Sequence, residues 1–427
     1  MKIEFIGTVF FAFALVHTFL VSYFAKLAKK FEKGTAGEAL LHLLSEVEVV
    51  FGFWAFVFLA VWALFDGIAP VIRYQQSLQL TEPLFIFCIM IVASTRPVVT
   101  LARKSILAVS RVLSKIFRFD YIYLQLFALL TIGPLLGSLI TEPAAITITA
   151  LLLHRMIDKN KIDASLLYAL LALLFVNISV GGALTHFAAP PILIVARTWN
   201  WSLIDVFSKL GEAAILTVTI NTLVFILMFR KKIKNTLHLI EPDQYPMPSW
   251  VTVSHLVFLA AIVATAHYSQ VFFGLFLIFA GLVTVTKTYQ DELKFRESLM
   301  VAFFLSGLIV FGSFQRWWIE PLILQMNDVA LFFGAATLTA VTDNAALTFL
   351  GSQVEALSET SKWALVAGAL SGGGLTILAN APNPAGYSVL SSKFPDSSLN
   401  ALALLKAAIV PTVVALVCFY LKLFIFP

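Results

Sequence analysis

The chain is short of charge and nearly devoid of cysteine. Only 12% of its 427 residues are Asp, Glu, Lys or Arg, where soluble domains carry about 25%. That shortage excludes a cytosolic enzyme and a disordered chain, since both need far more polar surface. Its two cysteines, Cys88 and Cys418, sit inside apolar stretches. They read as small buried hydrophobes, which excludes a disulfide scaffold. No Cys/His metal spacing, Walker loop, GxSxG elbow or HExxH is present, so ATP-driven transport and intramembrane proteolysis lack their usual marks. No nucleophile, base and orienting group stand together, so the reading is a non-enzyme without a cofactor.

What is present is apolar. Hydrophobic residues make up 60% of the chain, with 39 Phe and 8 Trp, and the mean hydropathy is +0.92. The apolar runs are long and do not alternate, which predicts an all-α polytopic membrane protein and not a β-barrel. A spanning helix needs about 20 apolar residues, so the chain has room for roughly ten to twelve segments, about 11, and for no separate soluble domain. The run from Phe5 to Phe24 has no small-residue cleavage site before Lys26 and reads as a first membrane helix, not a removed signal. The net charge is +5, from 29 Lys and Arg against 24 Asp and Glu. The basic residues lie between apolar runs, where they act as topology signals and not as a nucleic-acid surface. The segment 100–118 is amphipathic and basic, which predicts a helix lying at the membrane surface. The polar stretch 230–249, with three prolines, separates two halves.

Short motifs recur across those halves. Thr141-Glu142-Pro143-Ala144-Ala145-Ile146-Thr147 is matched by Thr342-Asp343-Asn344-Ala345-Ala346-Leu347-Thr348. Gly181-Gly182-Ala183-Leu184-Thr185, followed by Pro190-Pro191, is matched by Gly372-Gly373-Gly374-Leu375-Thr376, followed by Pro382 and Pro384. Glu212-Ala213-Ala214-Ile215 is matched by Lys406-Ala407-Ala408-Ile409. Three matches in the same order argue for an internal duplication. If each carboxylate motif is the tip of a re-entrant hairpin, 20 Lys and Arg fall on one side of the membrane and 7 on the other, with Arg96 and Lys406 left at membrane depth. This positive-inside bias predicts hairpins entering from opposite faces, an inverted repeat, with both termini outside.

The chemistry follows from the breaks. Glycine runs and prolines inside apolar segments free backbone carbonyls, which are tolerated at membrane depth only where they line a cavity or bind something. Thr185, Asn177, Thr376, Asn380 and Asn383 add neutral oxygens around the breaks. Glu142 and Asp343 add one carboxylate per hairpin. Oxygen ligands with one carboxylate suit a small hard cation such as Na⁺. A carboxylate in low dielectric holds either a proton or a cation, which is the minimal basis for cation/proton exchange. Against this stand plainer readings: an N-terminal helix residue at a turn for Glu142, close helix packing for the glycines, and a snorkelling pair for Glu212 and Lys406. The alternative for Lys406 is a built-in cation near the second site. His186 reads as a structural histidine, Trp317-Trp318 as an interfacial anchor, and His42, Glu46 and Glu48 as solvated charges at the start of a helix.

These motifs resemble the ion transporter superfamily, which includes divalent anion:sodium symporters, arsenite permeases and a branch of sodium/proton antiporters. TEPAAIT and TDNAALT stand where the symporters carry neutral hairpin tips. VGGALTHFAAPP and GGGLTILANAPNP are similar to the family's unwound helices. The N-terminal LLHLLSEVEVVFGFWAF and LTEPLFIFCIMIVASTRPV look most like a bacterial family named putative sodium/proton antiporters. The resemblance implies two inverted repeats, each with a scaffold and a transport part, a homodimer, and elevator-like movement in the bacterial inner membrane. The boundaries it implies are 1–118 and 119–230 for the scaffold and transport parts of the first repeat, and 231–327 and 328–427 for those of the second. It implies ion sites at Thr141, Glu142, Gly182 and Thr185, and at Thr342, Asp343, Asn344, Thr376, Asn380 and Asn383. Na⁺ itself would fall to Asp343, Asn344, Asn380 and Glu142. The first break departs from the family in having Ile192, not Asn, after Pro190-Pro191, which puts its site in doubt.

Both tips carry acids, and these decide the expected function. At about 4 Å and an effective dielectric near 20, like charges cost roughly 4 kcal/mol, so paired acids repel a dicarboxylate and attract Na⁺. The expectation is Na⁺ (or Li⁺)/H⁺ exchange, with membrane lipid, Na⁺ and H⁺ as partners and no nucleic acid. The alternative is a sodium-coupled symporter of a small anion with one tip acid neutralised. A channel would not need two opposed hairpins.

Overall fold

The computed structural model describes residues 2–28, 30–32, 34–240, 247–394 and 399–426. Among them there is no strand, only an isolated bridge between Ile157 and Leu237. The prolines Pro242 and Pro246 of the polar linker, and Lys29 and Lys33 of the first basic segment, lie outside the described residues.

The N-terminal part holds α1 (Lys2–Ala28), α2 (Ala36–Leu44), α3 (Val47–Asp66), α4 (Ile68–Ser77), α5 (Thr81–Ala93) and α6 (Arg96–Ile116). The last is the amphipathic basic segment; it buries Val98, Ile106 and Leu107 and packs against α7 (Tyr121–Ile140). Then come α8 (Glu142–Met156), α9 (Ala164–Gly181), α10 (Pro190–Thr198), α11 (Leu203–Val206) and α12 (Glu212–Thr236). Three helices follow the linker: α13 (Ser249–Ala264), α14 (Ser269–Val285) and α15 (Phe295–Gly312). The C-terminal part comprises α16 (Arg316–Leu324), α17 (Asp328–Thr339), α18 (Asn344–Ser352), α19 (Glu359–Gly372), α20 (Asn383–Leu390) and α21 (Ala401–Tyr420).

Proline and side-chain caps set the starts. Pro143, Pro190, Pro191 and Pro384 occupy the first turns of α8, α10 and α20, where a missing N–H costs nothing and the fixed φ suits the helix. Asp163, Asn327, Ser358 and Asn400 cap α9, α17, α19 and α21 through side-chain oxygens, each satisfying an otherwise orphan amide.

Among the described residues, six helices are long and apolar enough to cross a membrane, or seven if the bent pair α4 and α5 is one span. The protein is therefore an all-helical, multi-pass membrane protein. Shorter apolar helical stretches run over Ile3–Thr18, Ser249–Ala264, Ser269–Val285 and Asp328–Thr339. Burial sorts the long ones. Of the most apolar window in Val49–Asp66 and in Ala401–Ile425, 33% is buried, against 89% in Ala164–Leu184. The first two present Leu64, Phe65 and Val417 outward. α9 is enclosed by α7, α12, α21 and α8 and carries the centre of the core.

Segments that the sequence reading assigns to one side meet in the fold. Lys232 pairs with Asp163 at 2.5 Å, Lys234 with Asp120 at 2.8 Å, and Lys393 Nζ donates to the Ile157 carbonyl at 2.8 Å. Segments assigned to the opposite side also meet. Lys422 pairs with Glu212 at 2.8 Å, Lys362 lies over the Trp199 ring, and Trp201 stacks on Trp363.

Candidate ion-binding site

The first carboxylate motif is a helical hairpin. A Cβ placed on Gly137 of α7 would stand 3.3 Å from the Ala145 methyl of α8, and Gly133 faces Thr149, so the two helices run antiparallel at close range. The chain reverses at Thr141, with φ 73° and ψ 151°. A β-branched residue there is strained by on the order of 1–3 kcal/mol. Glu142 follows as the first residue of α8 and is fully buried.

The hairpin is pinned to the first helix break. Ser138 donates to the Gly181 carbonyl at 2.7 Å and accepts from Leu184 N–H at 2.8 Å, while its own carbonyl accepts from the Thr185 hydroxyl at 2.7 Å. The helix tightens into a 3₁₀ turn over Gly182–Leu184. A Cβ on Gly182 would lie 2.5 Å from Glu142 Oε1, so only glycine lets the carboxylate approach.

The second motif is built from a wider break. Between α19 and α20 the Asn383 amide donates to the Gly373 and Thr376 carbonyls at 2.8 and 3.0 Å. The Thr376 hydroxyl donates to Ala340 O at 2.9 Å, as Thr185 does to Ser138 O in the first half. Asp343 caps α18: its Oδ1 accepts from Ala345 and Ala346 N–H at 2.8 and 3.1 Å. Asn344 is held from two sides, its N–H on Ala379 O at 3.1 Å and its Nδ2 on Ser179 Oγ at 3.3 Å.

The halves meet at the acid. Asn380 Nδ2 donates to Glu142 Oε2 at 2.8 Å, and Asp343 lies within coulombic range of Glu142. Neither carboxylate makes an ion pair among the described residues. Five buried oxygens here have no hydrogen-bond partner among the described residues: Thr141 Oγ1, Glu142 Oε1, Asn344 Oδ1, Asn380 Oδ1 and Asn383 Oδ1. Each buried oxygen left unpaired costs about 1–3 kcal/mol, and such groups in native proteins are satisfied by an ordered water or an ion or mark a functional site. The three amide oxygens can only accept, so the ligand they suit is a cation or a proton donor. The N-terminal amides of α18, a ready anion site, are taken by Asp343, and the first position of α8 is Glu142 itself.

The structure thus brings together Thr141, Glu142 and Gly182 with Asn380, and Asp343, Asn344 and Asn383 with Thr376. Thr185 and Thr376 commit their hydroxyl protons to carbonyls. Thr342 is not drawn in: it is half-exposed and donates to Leu338 O at 3.0 Å. Asn177 also lies apart, donating to Leu130 O and Thr222 and accepting from Asn221 at 3.1 Å. Lys406 is exposed on α21 and borders a cavity between α9, α12 and α21, which removes it as a cation for the second site. Its repeat partner Glu212 pairs with Lys422 instead. His186 borders a separate small pocket with His267, Glu82 and Arg197. Ser138 and Ser179 were not singled out from sequence. Ser138 has no signal beyond being a small residue in an apolar run, and the repeat offset places Leu370, not a serine, opposite Ser179.

The profile of a family described as "Putative Na+/H+ antiporter" matches residues 2–422. The chain belongs to this family. As a member of the antiporter family it is a membrane transporter and not an enzyme, and membership implies Na⁺ and H⁺ as the transported ions. No curated protein matches the chain. Among solved structures, that of the Alcanivorax borkumensis YdaH transporter is similar to this antiporter-family chain. The match covers 88% of this chain and 96% of that one, at 13% identity and a TM-score of 0.46.

Proposed function

We propose that this protein exchanges Na⁺ (or Li⁺) for H⁺, with Glu142 as the carboxylate that alternates between the two. The observation that carries this reading is the state of Glu142: fully buried, without an ion-pair partner among the described residues, hydrogen-bonded through Oε2, and with Oε1 among the five buried oxygens of the two motifs that lack a partner there. Low dielectric makes a bare carboxylate costly there, so the acid binds H⁺ or a metal cation but not both. Asp343 completes the site from the second hairpin, its negative charge shared with the start of α18. The anion-symporter reading is disfavoured because each hairpin helix presents its own acid where an anion would bind.

The further reading is an inverted repeat. It is supported by matching local devices: a threonine after each glycine run donating to the end of the preceding hairpin helix, and reciprocal packing of α8 on α20 and of α10 on α18. In this reading 119–230 and 328–427 form the transport parts, which move as an elevator against scaffolds 1–118 and 231–327. The protein works as a homodimer in the inner membrane, with both termini outside. Exchange is tested in sealed vesicles carrying a pH gradient and a trapped dye. Collapse of the gradient by NaCl or LiCl supports the reading, and sodium-dependent entry of succinate without such collapse replaces it.

A further inference from the structure

We propose that an acidic phospholipid binds in the lateral cavity between α9, α12 and α21, with its headgroup on Lys406 and one acyl chain along the apolar walls. The cavity measures about 510 Å³, within the roughly 300–1,000 Å³ of small-molecule sites. Its walls include Leu173, Phe225, Phe229 and Val410, and Tyr168 stands at the start of α9. It lies apart from Glu142 and Asp343, neither of which borders it.

Charge complementarity selects the occupant. Lys406 borders this apolar space and makes no ion pair among the described residues. The end of α12 beside it carries Arg230, Lys231, Lys232 and Lys234. Lys232 and Lys234 are neutralised by Asp163 and Asp120, and Arg230 lies over the Tyr123 ring. Lys231 is exposed and, like Lys406, has no ion-pair partner among the described residues. An uncompensated cation on the wall of an apolar groove, with a second exposed on the basic end of the same α12 whose Met228 and Phe229 line it, is what an anionic headgroup with an apolar tail requires. A zwitterionic lipid would fill the groove but bring no net charge to either lysine.

The test is lipid retention by the purified full-length protein in detergent, read by native mass spectrometry with dioleoylphosphatidylglycerol and dioleoylphosphatidylcholine. The wild type is expected to retain the glycerol lipid several-fold over the choline lipid. Lys406→Gln should bring the two level, and Ala407→Phe, which fills the cavity, should lower both. Thermal unfolding of each variant shows that it is folded. Equal retention of the two lipids by the wild type overturns the proposal. So does selectivity that survives both variants, or that is lost only when the basic residues of 230–234 are neutralised. The readout is independent of ion exchange, so it stands or falls separately from the proposed transport.

Discussion

Asn380 and Glu142 stand 238 positions apart in the chain, yet the Asn380 amide donates to Glu142 Oε2 at 2.8 Å. The contact ties the second helix break to the tip of the first hairpin. It occupies one carboxylate oxygen with a donor and leaves the other, with Asn380 Oδ1, unpartnered. A site assembled this way has the Glu142 carboxylate at its centre, Asp343 on the second hairpin, several neutral oxygens and, among the described residues, no ion pair to either acid.

Glu142→Gln tests that charge directly. Glutamine keeps an oxygen for Asn380 and the same shape, so the fold should hold and thermal unfolding should move little. An amide neither takes up a proton nor gives a charge to Na⁺, and losing the charged partner removes an interaction of about 1.5–3 kcal/mol, so Na⁺-driven proton movement should vanish. An unchanged profile would return Glu142 to a structural role.

Asp343 carries a cap and a charge, and two variants separate them. Asparagine is as good a cap as aspartate, so Asp343→Asn should stay folded and lose exchange. Asp343→Ala should also destabilise by about 0.5–2 kcal/mol through the lost cap, seen as a lower unfolding temperature. Exchange that persists in Asp343→Asn would remove Asp343 from the mechanism.

Gly182 leaves no room for a side chain. In Gly182→Ala the methyl would meet Glu142 Oε1 at 2.5 Å, so the carboxylate must move and exchange should fall sharply. Gly274 has nothing within 4 Å of an added Cβ, so Gly274→Ala should transport as the wild type does. Equal activities of the two variants in the dye assay would contradict the geometry.

Asp163 gives a pH prediction outside the spanning helices. The hydrogen bond from Lys232, and then that from Leu166 N–H, hold its carboxyl below the ordinary carboxylate range. A depressed folded-state value means that its stabilisation is complete above the unfolded value and is lost as pH falls through the folded one. Asp163→Asn keeps the cap and should cost less than about 1 kcal/mol, as exposed ion pairs do. The gap between this variant and the wild type should be present at neutral pH and close only below the usual carboxylate range. A gap that opens instead on acidification would reverse the sign.

Much of this was legible in the sequence because ionisable and helix-breaking residues stand out in an apolar chain. Glu142, Asp343 and both glycine runs mark the tips and breaks. What was illegible depends on which face of a helix a residue occupies. Asn177 lies one turn before the break but points to α7 and α12, where it bonds Leu130 O and Thr222. Thr342 bonds back onto its own helix turn, a local option always open to threonine. Ser138 and Ser179 act through contacts 43 to 191 positions away, which no local pattern encodes.

The most direct test of the central claim compares wild type and Glu142→Gln in the same dye-loaded vesicles, challenged with NaCl, LiCl, KCl and sodium succinate over a range of pH. Competition of one proton with one cation at Glu142 predicts that the apparent Na⁺ affinity of the wild type weakens on acidification, by up to about tenfold per pH unit. The Glu142→Gln protein should not respond to any chloride. If Na⁺ affinity is independent of pH, or Glu142→Gln exchanges as the wild type does, Glu142 is not the exchange carboxylate.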